Sequence, residues 1–444
     1  MPEPMGRLAL ALLLAALLQA CGSGGGGAET EPPPTAQACT VAEQRQSLRE
    51  FMQGHYYWYR DMPAPDERAT TMDAYFQSML VRPRDRYSYS EPTELYNQVF
   101  TEGRRVGYGY TLVWADLART QLRVRFVEPA GPVARAGLAR GDRILAIDGH
   151  PPADIAAGLV PAVATPGVPR TFTVTTAAGQ WRMFTVESED YPLSPVAATR
   201  VFEVPGSSGP ARVGYLAYSQ FVGYSREPLQ AAFAQFAQAG IGELILDLRY
   251  NGGGSVAVSR ELASLVGGAA TAWRLYSYLR FNDQQPGSTQ TLLFTAPEAT
   301  ADTPLGLGLR RVFVITSGGT ASASELLING LKPFVDVVLV GETTYGKPYG
   351  FVPFDLCGTT YQAVQFESLN ALGAGGFTAG FQPTCAVADD LDHQLGDPAE
   401  TRIRTALDYV VTGSCGAAAA QRAPKQPLPL ETFGEPWPRG MFVE

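Results

Sequence analysis

The first folded part of the chain carries aromatic residues at helical spacing. They recur at intervals of three and four, at Phe51, His55, Trp58 and Tyr59. This spacing places them on one face and predicts a helical domain over 39–102. The stretch from Arg82 to Tyr89 interrupts the pattern and predicts a loop. Because such a stripe usually packs against a core, we assign these side chains a structural role.

The pattern changes to short strands over 103–190. Residues Leu122–Phe126 alternate between apolar and basic side chains, as a strand with one buried face does. A glycine- and tyrosine-rich segment precedes this strand, and two glycine-containing segments, Pro132–Leu138 and Gly141–Gly149, follow it. The pattern predicts a mainly β domain.

Over 194–415, apolar runs alternate with amphipathic helices. The run Leu244–Leu248 is typical of a strand that is buried on both faces. A helix is predicted over Ser225–Ala239, with Gly240 as its stop. The other predicted strands are Val213–Phe221, Val312–Ile315 and Val337–Val340. This alternation predicts an α/β domain with a parallel sheet.

The N-terminus has the pattern of a targeting segment. Leu8–Leu18 is an uninterrupted apolar run, too short to span a bilayer and typical of a signal peptide. The following Leu18-Gln19-Ala20-Cys21 resembles a bacterial lipobox, so we expect residues 1–20 to be removed and Cys21 to be lipidated. The alternative is an ordinary secretory signal with an incidental cysteine. Residues 21–38 are rich in glycine and proline and predict a linker.

The C-terminal residues 416–444 are rich in alanine and proline and show no periodicity, which predicts a loosely packed tail. An even number of cysteines remains beyond Cys21, which in an exported chain predicts disulfides of unspecified pairing. These cysteines are Cys39, Cys357, Cys385 and Cys415. No CxxC pair or nearby histidine indicates a metal site.

Composition excludes some classes of partner. The chain has 444 residues and a net charge of −9, so neither nucleic acid nor an anionic membrane surface is an expected partner. We expect membrane attachment through the lipid only. The chain contains three histidines, His55, His150 and His393, which disfavours a multi-histidine metal site and directs attention to bases other than imidazole.

Three segments that follow predicted strands carry the candidate chemistry. The first, Asp247–Gly254, ends in three glycines, whose N–H groups can approach and stabilise developing negative charge. It fits neither nucleotide-binding glycine pattern. The second segment, Thr316–Glu325, consists mainly of small residues and precedes a predicted helix. The third segment, Gly341–Pro348, contains Lys347, and the stretch from Thr343 to Phe354 is otherwise uncharged.

Ser322 and Lys347 have both ordinary and catalytic interpretations. A serine before a helix is usually a cap, but the same position also suits a nucleophile, since the next N–H can bind an oxyanion. A lone lysine is usually solvated. If Lys347 is buried beside the serine, however, it can be uncharged near neutral pH and accept the serine proton.

The domain over 103–190 resembles a PDZ domain. In PDZ domains a glycine–aromatic loop offers N–H groups to a peptide carboxylate, and the adjoining strand accepts the peptide by β-augmentation. The resemblance implies that this loop is formed by Gly107, Tyr108, Gly109 and Tyr110, with the AGLARGDRILAIDG run behind it.

The three segments in order, DLRYNGGG, SGGTASASE and GETTYGK, resemble the C-terminal processing (tail-specific) peptidases. These are serine–lysine proteases with a PDZ domain ahead of an α/β catalytic domain of ClpP- and crotonase-like strand–helix repeats. The resemblance implies Ser322 as nucleophile and Lys347 as base, with N–H groups of Ala323 and Gly253 binding the oxyanion. It gives supporting roles to Asp247, Arg249 and Glu325, and implies no cofactor.

One position departs from the family pattern. Members commonly carry a glutamine four residues after the lysine, where it orients the amine, and this chain has Phe351 there. Since a phenyl ring cannot accept a hydrogen bond as an amide does, we expect Gln362 or Gln365 to hold Lys347.

The leading hypothesis is a lipid-anchored endopeptidase of the bacterial envelope, facing the periplasm from the outer membrane, that cleaves polypeptides near C-termini held by the PDZ domain. A second hypothesis is a weak or inactive relative that binds peptides or hydrophobic ligands on the same scaffold. A third, a serine esterase or amidase, needs His150 or His393 beside Ser322.

Overall fold

The computed structural model describes residues 39–206, 209–295, 306–416, 431–435 and 440–443. The predicted signal peptide, the lipidation site Cys21 and the linker over 21–38 lie outside the described residues. Within the described ranges, no helix is both long and apolar enough to cross a bilayer.

Short helices form the N-terminal region, as its apolar spacing predicts. In chain order the elements are α1 (Val41–His55), a 3-10 turn (Tyr59–Asp61), α2 (Met72–Ser78), β1 (Tyr89–Pro92), α3 (Thr93–Tyr96) and a π-helical turn (Asn97–Glu102). Helix α1 buries Leu48 and Met52, four residues apart on one face. Phe51 stacks on Phe354 with ring centroids 4.1 Å apart, so its predicted packing role is confirmed.

A six-stranded antiparallel sheet forms the core of the next region. Its elements are β2 (Arg104–Gly107), β3 (Tyr110–Trp114), β4 (Leu122–Val127), α4 (Pro132–Arg135), β5 (Arg143–Ile147), α5 (Pro152–Ala156), β6 (Pro169–Thr175), β7 (Trp181–Glu187) and β8 (Glu189–Pro192). Strands β3 to β7 are neighbours in sequence order. In β4, residues Leu122, Val124 and Phe126 are buried and the arginines between them are partly exposed, which confirms the predicted alternation.

The largest region contains both strands and helices, as predicted, but several of its strands follow one another without an α-helix between them. Its elements are β9 (Val196–Gly206), β10 (Gly209–Tyr218), α6 (Arg226–Ala239), β11 (Glu243–Asp247), β12 (Gly253–Ser255), α7 (Val256–Gly267), β13 (Leu275–Phe281), β14 (Gln290–Leu293), β15 (Arg311–Thr316), α8 (Ala323–Leu331), β16 (Asp336–Gly341), β17 (Tyr349–Gly350), β18 (Phe354–Leu356), β19 (Thr359–Gln362), β20 (Phe366–Leu369), β21 (Cys385–Ala386) and α9 (Thr401–Thr412).

The central sheet of this region has the order β21-β16-β15-β11-β10-β9, and only the β9–β10 pair in it is antiparallel. Leu244 and Leu246 pack on the side of the sheet covered by α6, α7 and α8. Ile245, which lies between them, packs on the opposite side with Ile403 of α9. Since both faces of β11 are buried, its three central residues are all apolar. The fold is therefore mixed α/β.

The C-terminal segment is packed wherever it is described, so the prediction of a loose tail over 416–444 was wrong for these residues. Thr432–Gly434 form β22, which pairs antiparallel with β3. Gly440–Phe442 form β23, which pairs parallel with β12. Phe442 is 4% exposed. A strand of three residues is too short for periodicity to appear in the sequence.

One of the predicted disulfides joins Cys385 to Cys415. Cys385 lies in the edge strand β21, and Cys415 lies just beyond the end of α9. The bond ties the last helix of the α/β region to the edge of its central sheet.

Candidate active site

Three loops meet at the carboxyl ends of β11, β15 and β16, because these strands are parallel neighbours. The N–H of Ala321 donates to the carbonyl of Asn251 at 3.1 Å, which ties the second loop to the first. The N–H of Tyr345 donates to the carbonyl of Thr320 at 2.9 Å, which ties the third loop to the second. The three segments in which the sequence places the chemistry are thus adjacent.

Ser322 lies immediately before α8 in an unusual conformation. Its φ is +64° and its ψ is −114°, a region that costs free energy for a residue other than glycine. The residue is fully buried, and its hydroxyl has no hydrogen-bond partner within the described part of the chain. An unpartnered buried hydroxyl costs about 1–3 kcal/mol. Neither feature is needed for a serine that only caps a helix.

Glu325 connects the serine loop to the lysine loop. Its Oε2 accepts the N–H of Ser322 at 2.9 Å and the N–H of Lys347 at 2.8 Å. Its Oε1 accepts the hydroxyl of Thr344 at 2.5 Å and the N–H of Gly346 at 2.7 Å. Burial raises the pKa of this carboxyl above its ordinary value, although the four donors act to lower it. The side chain fixes the separation of the two loops.

Lys347 is buried, and its Nζ lies 3.8 Å from the ring centroid of Phe351. Phe351 is itself fully buried. The ring face therefore contacts the amine directly, a contact that the sequence analysis did not predict. Gln365 donates its amide N–H to the carbonyl of Val352 at 2.6 Å.

Gln362, the other glutamine expected to hold the lysine, lies in β19. There it pairs with Tyr89 of β1. Burial raises the pKa of the Glu91 carboxyl to about 7, and the Gln362 side chain acts in the opposite direction. That Gln362 or Gln365 holds Lys347 stays a prediction.

The two expected oxyanion donors differ in their surroundings. Ala323 is the first residue of α8, where N–H groups have no partner within the helix. The N–H of Gly253 already donates to the side-chain oxygen of Asn251 at 2.9 Å. In this arrangement the Gly253 N–H is engaged by a side chain two residues before it, whereas no helix partner occupies the Ala323 N–H.

Asn251 is a site residue that the sequence reasoning passed over. It is fully buried, and its amide donates to the carbonyl of Tyr218 at 3.1 Å. Its own carbonyl accepts the N–H of Ala321 and the hydroxyl of Ser324, each at 3.1 Å. Its position within the DLRYNGGG run was the available signal, since an asparagine beside glycines commonly bonds to nearby backbone.

Asp247 and Arg249 form a buried ion pair at the beginning of the first loop. The guanidinium of Arg249 is 1% exposed and pairs with Asp247 and, through two bonds of 2.7 and 3.0 Å, with Glu400. The hydroxyl of Tyr215 donates to Asp247 at 2.8 Å. The backbone carbonyl of Arg249 accepts the hydroxyl of Ser317. These contacts hold the first loop against the second.

Asp389 completes this buried network, and no local sequence pattern marks it as a member. Its carboxylate lies 3.0 Å from both Arg140 and Arg249 and 3.9 Å from Arg402. Burial alone would raise the pKa of Asp389, but the three arginines hold it well below its ordinary value. Because Arg140 precedes β5, the network also joins the antiparallel sheet to the α/β region.

The predicted carboxylate-binding loop lies at the start of β3. The N–H groups of Tyr108 and Gly109 donate to the two side-chain oxygens of Glu435 at 2.7 and 2.9 Å. A Cβ atom added at Gly107 would lie 2.3 Å from Glu435 Oε1, so only glycine allows this approach. The backbone of Tyr110 continues into the strand, where its carbonyl accepts the N–H of Glu435 at 2.8 Å.

Neither of the candidate histidine bases contacts Ser322 in the described parts of the chain. His393 Nδ1 lies 2.8 Å from Asp390, and His150 Nδ1 lies 3.4 Å from Asp154. Nor do the described residues contain a histidine, cysteine and carboxylate cluster that could hold a metal. The histidine-based alternative has no support in this geometry.

Comparison with known proteins identifies the region that carries these loops. The model of peptidase family S41 matches residues 212–385, and the model of the S41 N-terminal domain matches residues 43–89. A carboxyl-terminal-processing protease of Synechocystis is 30% identical over 330 residues, which are 71% of each chain. A chloroplastic C-terminal processing peptidase of Tetradesmus obliquus is 24% identical over 292 residues, 64% of this chain and 60% of that protein.

Solved structures show the same fold. A protein of Bacteroides fragilis assigned to the S41 proteases superposes with a TM-score of 0.66 and 25% identity, covering 82% of this chain and 96% of its own. The photosystem II D1 C-terminal processing protease superposes with a TM-score of 0.50 and 21% identity, covering 79% of this chain and 94% of its own.

Proposed function

Because this chain belongs to peptidase family S41, the family of the C-terminal processing peptidases, we propose that Ser322 is its nucleophile and Lys347 the general base. The family membership makes the protein a serine-type peptidase. The proposal adds that it is an endopeptidase acting on polypeptides near their C-termini.

The Ser322 hydroxyl is the observation that supports this proposal most directly. It is buried, it lacks a hydrogen-bond partner among the described residues, and it lies at positive φ beside a helix N-terminus. The neighbouring lysine loop is joined to it through Glu325. A nucleophile needs such an unpartnered lone pair, close to N–H donors and to a base.

In the proposed reaction, the uncharged amine of Lys347 takes the Ser322 proton while Oγ attacks the peptide carbonyl carbon. The carbonyl π electrons move to oxygen, and the N–H of Ala323 stabilises that oxyanion. Collapse of this intermediate breaks the C–N bond, and Lys347 returns the proton to the departing amine. Water, deprotonated by the same amine, then hydrolyses the acyl-enzyme ester. Burial of Lys347 favours the uncharged form that this scheme requires.

A second oxyanion donor is proposed at Gly253. Its N–H donates to the side-chain oxygen of Asn251, which is only two residues away in the chain. Rotation of that side chain away from Gly253 would free the N–H for the oxyanion. Asn251 would then act as a positioning residue that holds the glycine loop ready while no oxyanion is present.

We assign substrate recognition to the PDZ-like unit over 103–190. The N–H groups of Tyr108 and Gly109 already bind a carboxylate, and the edge of β3 already accepts a strand. These are the two contacts that a bound peptide C-terminus requires.

The test is cleavage of an unfolded polypeptide by separate Ser322→Ala and Lys347→Ala variants. We expect the first to lose about 10³-fold in kcat/KM and the second about 10²-fold or more. Lys332→Ala is the matched control, because Lys332 also places its Nζ over a phenyl ring, 4.0 Å from Phe381, but outside the three loops. Full activity in both Ser322→Ala and Lys347→Ala would reject the proposed pair.

One observation favours the second candidate, a weakly active peptide receptor. The face of the Phe351 ring attracts an ammonium group and so opposes the uncharged amine that a base requires. Covalent labelling distinguishes the candidates, since a receptor would bind peptide but would not react with a serine-directed fluorophosphonate or β-lactone at Ser322.

We also propose that the chain is a lipoprotein of the bacterial envelope, anchored through Cys21 and facing the periplasm from the outer membrane. The lipobox-like sequence before Cys21 supports this location. Metabolic labelling with palmitate should mark the wild-type protein and leave a Cys21→Ala variant unlabelled. Equal labelling of both would reject the anchor.

A further inference from the structure

The carboxylate of Glu435 occupies the predicted recognition loop. Besides the N–H groups of Tyr108 and Gly109, the hydroxyl of Tyr191 donates to it at 2.8 Å. Hydrogen bonds from N–H and O–H groups to an ionised oxygen are about twice as strong as neutral ones. Three such donors converging on one carboxylate form a complete site for an acidic group, and the chain itself supplies the ligand.

The residues before Glu435 extend the antiparallel sheet. Strand β22 pairs with β3, so that Thr432 faces Val113 and Gly434 faces Thr111. The ring of Phe433 packs against Trp114 with centroids 6.1 Å apart. An added strand with a carboxylate at its end in a glycine–aromatic loop is how a peptide C-terminus binds by β-augmentation.

The backbone at Glu435 is held as well. The guanidinium of Arg105 donates to the Glu435 carbonyl at 2.9 Å. The Glu435 N–H donates to the carbonyl of Tyr110 at 2.8 Å. Main-chain and side-chain groups of this residue therefore both bind to the recognition edge.

Farther along, the same segment reaches the catalytic loops. Strand β23 lies parallel to β12, the strand that begins at the proposed oxyanion residue Gly253. Phe442 is buried against Phe100, with ring centroids 5.0 Å apart. The N–H of Val443 donates to the carbonyl of Phe351 at 3.1 Å, and the Phe351 ring contacts Lys347.

From these contacts we propose that the C-terminal segment, residues 431–435 and 440–443, is a resident intramolecular ligand that competes with peptide substrates at both the recognition loop and the catalytic cleft. The inference rests on the proposed function for the identity of the competing ligand. A tethered ligand acts at an effective concentration on the order of millimolar, so an incoming peptide of ordinary affinity binds only when the tail is released.

The occupied state also accounts for the arrangement of the glycine loop. Gly253 and Gly254 pair with β23 while the Gly253 N–H is bound to Asn251, so the glycine loop is engaged on both sides. A substrate strand that enters the cleft would replace β23, and the glycine loop would then rearrange.

The sequence of the C-terminal segment also indicates the substrate class. We expect a polypeptide end with a carboxylate and an aromatic residue two positions before it.

The first experiment measures binding without catalysis. In a Ser322→Ala background, fluorescence anisotropy reports the affinity of a labelled synthetic peptide with the sequence of residues 431–444. We expect Glu435→Gln to bind this probe about tenfold more tightly than the parent, because the amide loses the charge that holds the tail. Glu227→Gln is the matched control, since Glu227 is exposed on α6, outside the C-terminal segment and the recognition loop, and should leave the affinity within about twofold of the parent.

Amide hydrogen exchange gives a second readout that needs no ligand. We expect exchange at Tyr108 and Gly109 to rise about tenfold in Glu435→Gln and to stay at the parent rate in Glu227→Gln. Unchanged probe affinity together with unchanged exchange in Glu435→Gln would overturn the inference. These readouts do not depend on turnover, so they can fail while Ser322 and Lys347 prove catalytic, or succeed while the proposed dyad fails.

Discussion

Ser322 and Lys347 donate their backbone N–H groups to the same oxygen atom, Oε2 of Glu325. The proposed nucleophile and base come from loops after different strands, and this buried carboxylate fixes one loop against the other. The arrangement makes Glu325 a positioning residue, since its side chain acts on the backbones of both loops.

Replacing Glu325 tests this connection between the serine loop and the lysine loop. Glu325→Gln puts an amide NH2 group where two donors now meet an oxygen, so we expect kcat to fall about 10–100-fold with KM nearly unchanged. We also expect the free energy of unfolding to fall by about 2 kcal/mol. Steady-state kinetics and urea unfolding measure the two effects. The exposed Glu227→Gln serves as control, and a wild-type kcat in Glu325→Gln would contradict the positioning role.

The contact between Lys347 and Phe351 predicts a change in the pH profile. Phe351→Leu keeps an apolar side chain but removes the ring face that stabilises a buried ammonium by about 2 kcal/mol. We expect the acidic midpoint of kcat/KM against pH to move down by about 1.5 units, because the amine then loses its proton more easily. Phe354→Leu removes another ring of the same cluster and should leave the midpoint in place. A midpoint that moves upward, or equally in both variants, would contradict the role of the ring.

The buried arginine network predicts a pH-dependent stability. Asp389→Asn removes a negative charge that faces three arginines. We therefore expect the free energy of unfolding at pH 7 to fall by about 3 kcal/mol. The folded pKa of Asp389 lies below its ordinary value of 3.8, so its contribution is present above 3.8 and is lost as pH falls toward the folded value. The difference between wild type and Asp389→Asn should therefore shrink below pH 3.8.

The control for this series is Asp283→Asn, which removes an exposed ion pair with Arg60. We expect that change to cost less than about 1 kcal/mol at every pH. Denaturant unfolding between neutral and acidic pH provides the measurement. A difference between wild type and Asp389→Asn that grows on acidification would show that the carboxylate is not stabilised in the folded protein.

The disulfide predicts a stability effect of its own. Cys385 and Cys415 are 30 residues apart, and closing a loop of that length restricts the unfolded chain by about 3–4 kcal/mol. We expect the double variant Cys385→Ser with Cys415→Ser to unfold at a lower denaturant concentration with a similar slope. Coincident unfolding curves would show that the bond adds nothing to stability.

Much of the architecture is readable from local pattern. The apolar runs at Leu244–Leu248 and Val312–Ile315 predict buried strands. The structure confirms this prediction, since β11 and β15 are covered on both faces. The glycine and small-residue loops that follow them are equally visible in the sequence. Parallel neighbours place such loops together, so Ser322 and Lys347 can be nominated before their geometry is known.

Contacts between residues that are far apart in the sequence could not be predicted from local pattern. Glu435 reaches the loop at Tyr108 across 327 positions, and nothing local marks a glutamate in a proline-rich segment as a ligand. Asp389 joins its arginines in the same way, across two regions of the fold. The ring-face contact between Phe351 and Lys347 was not predicted either, because a phenylalanine four residues after a lysine is not a recognisable pattern for such a contact.

The most direct test of the central claim is the rate at which a small fluorophosphonate acylates Ser322, followed by intact-mass and peptide mass spectrometry. The account predicts a single adduct on Ser322 in the wild-type chain, at least about 100-fold slower labelling in Lys347→Ala, and a wild-type rate in Lys332→Ala. Equal labelling rates in wild type and Lys347→Ala would contradict it, as would an adduct on a different residue in a chain that cleaves polypeptides.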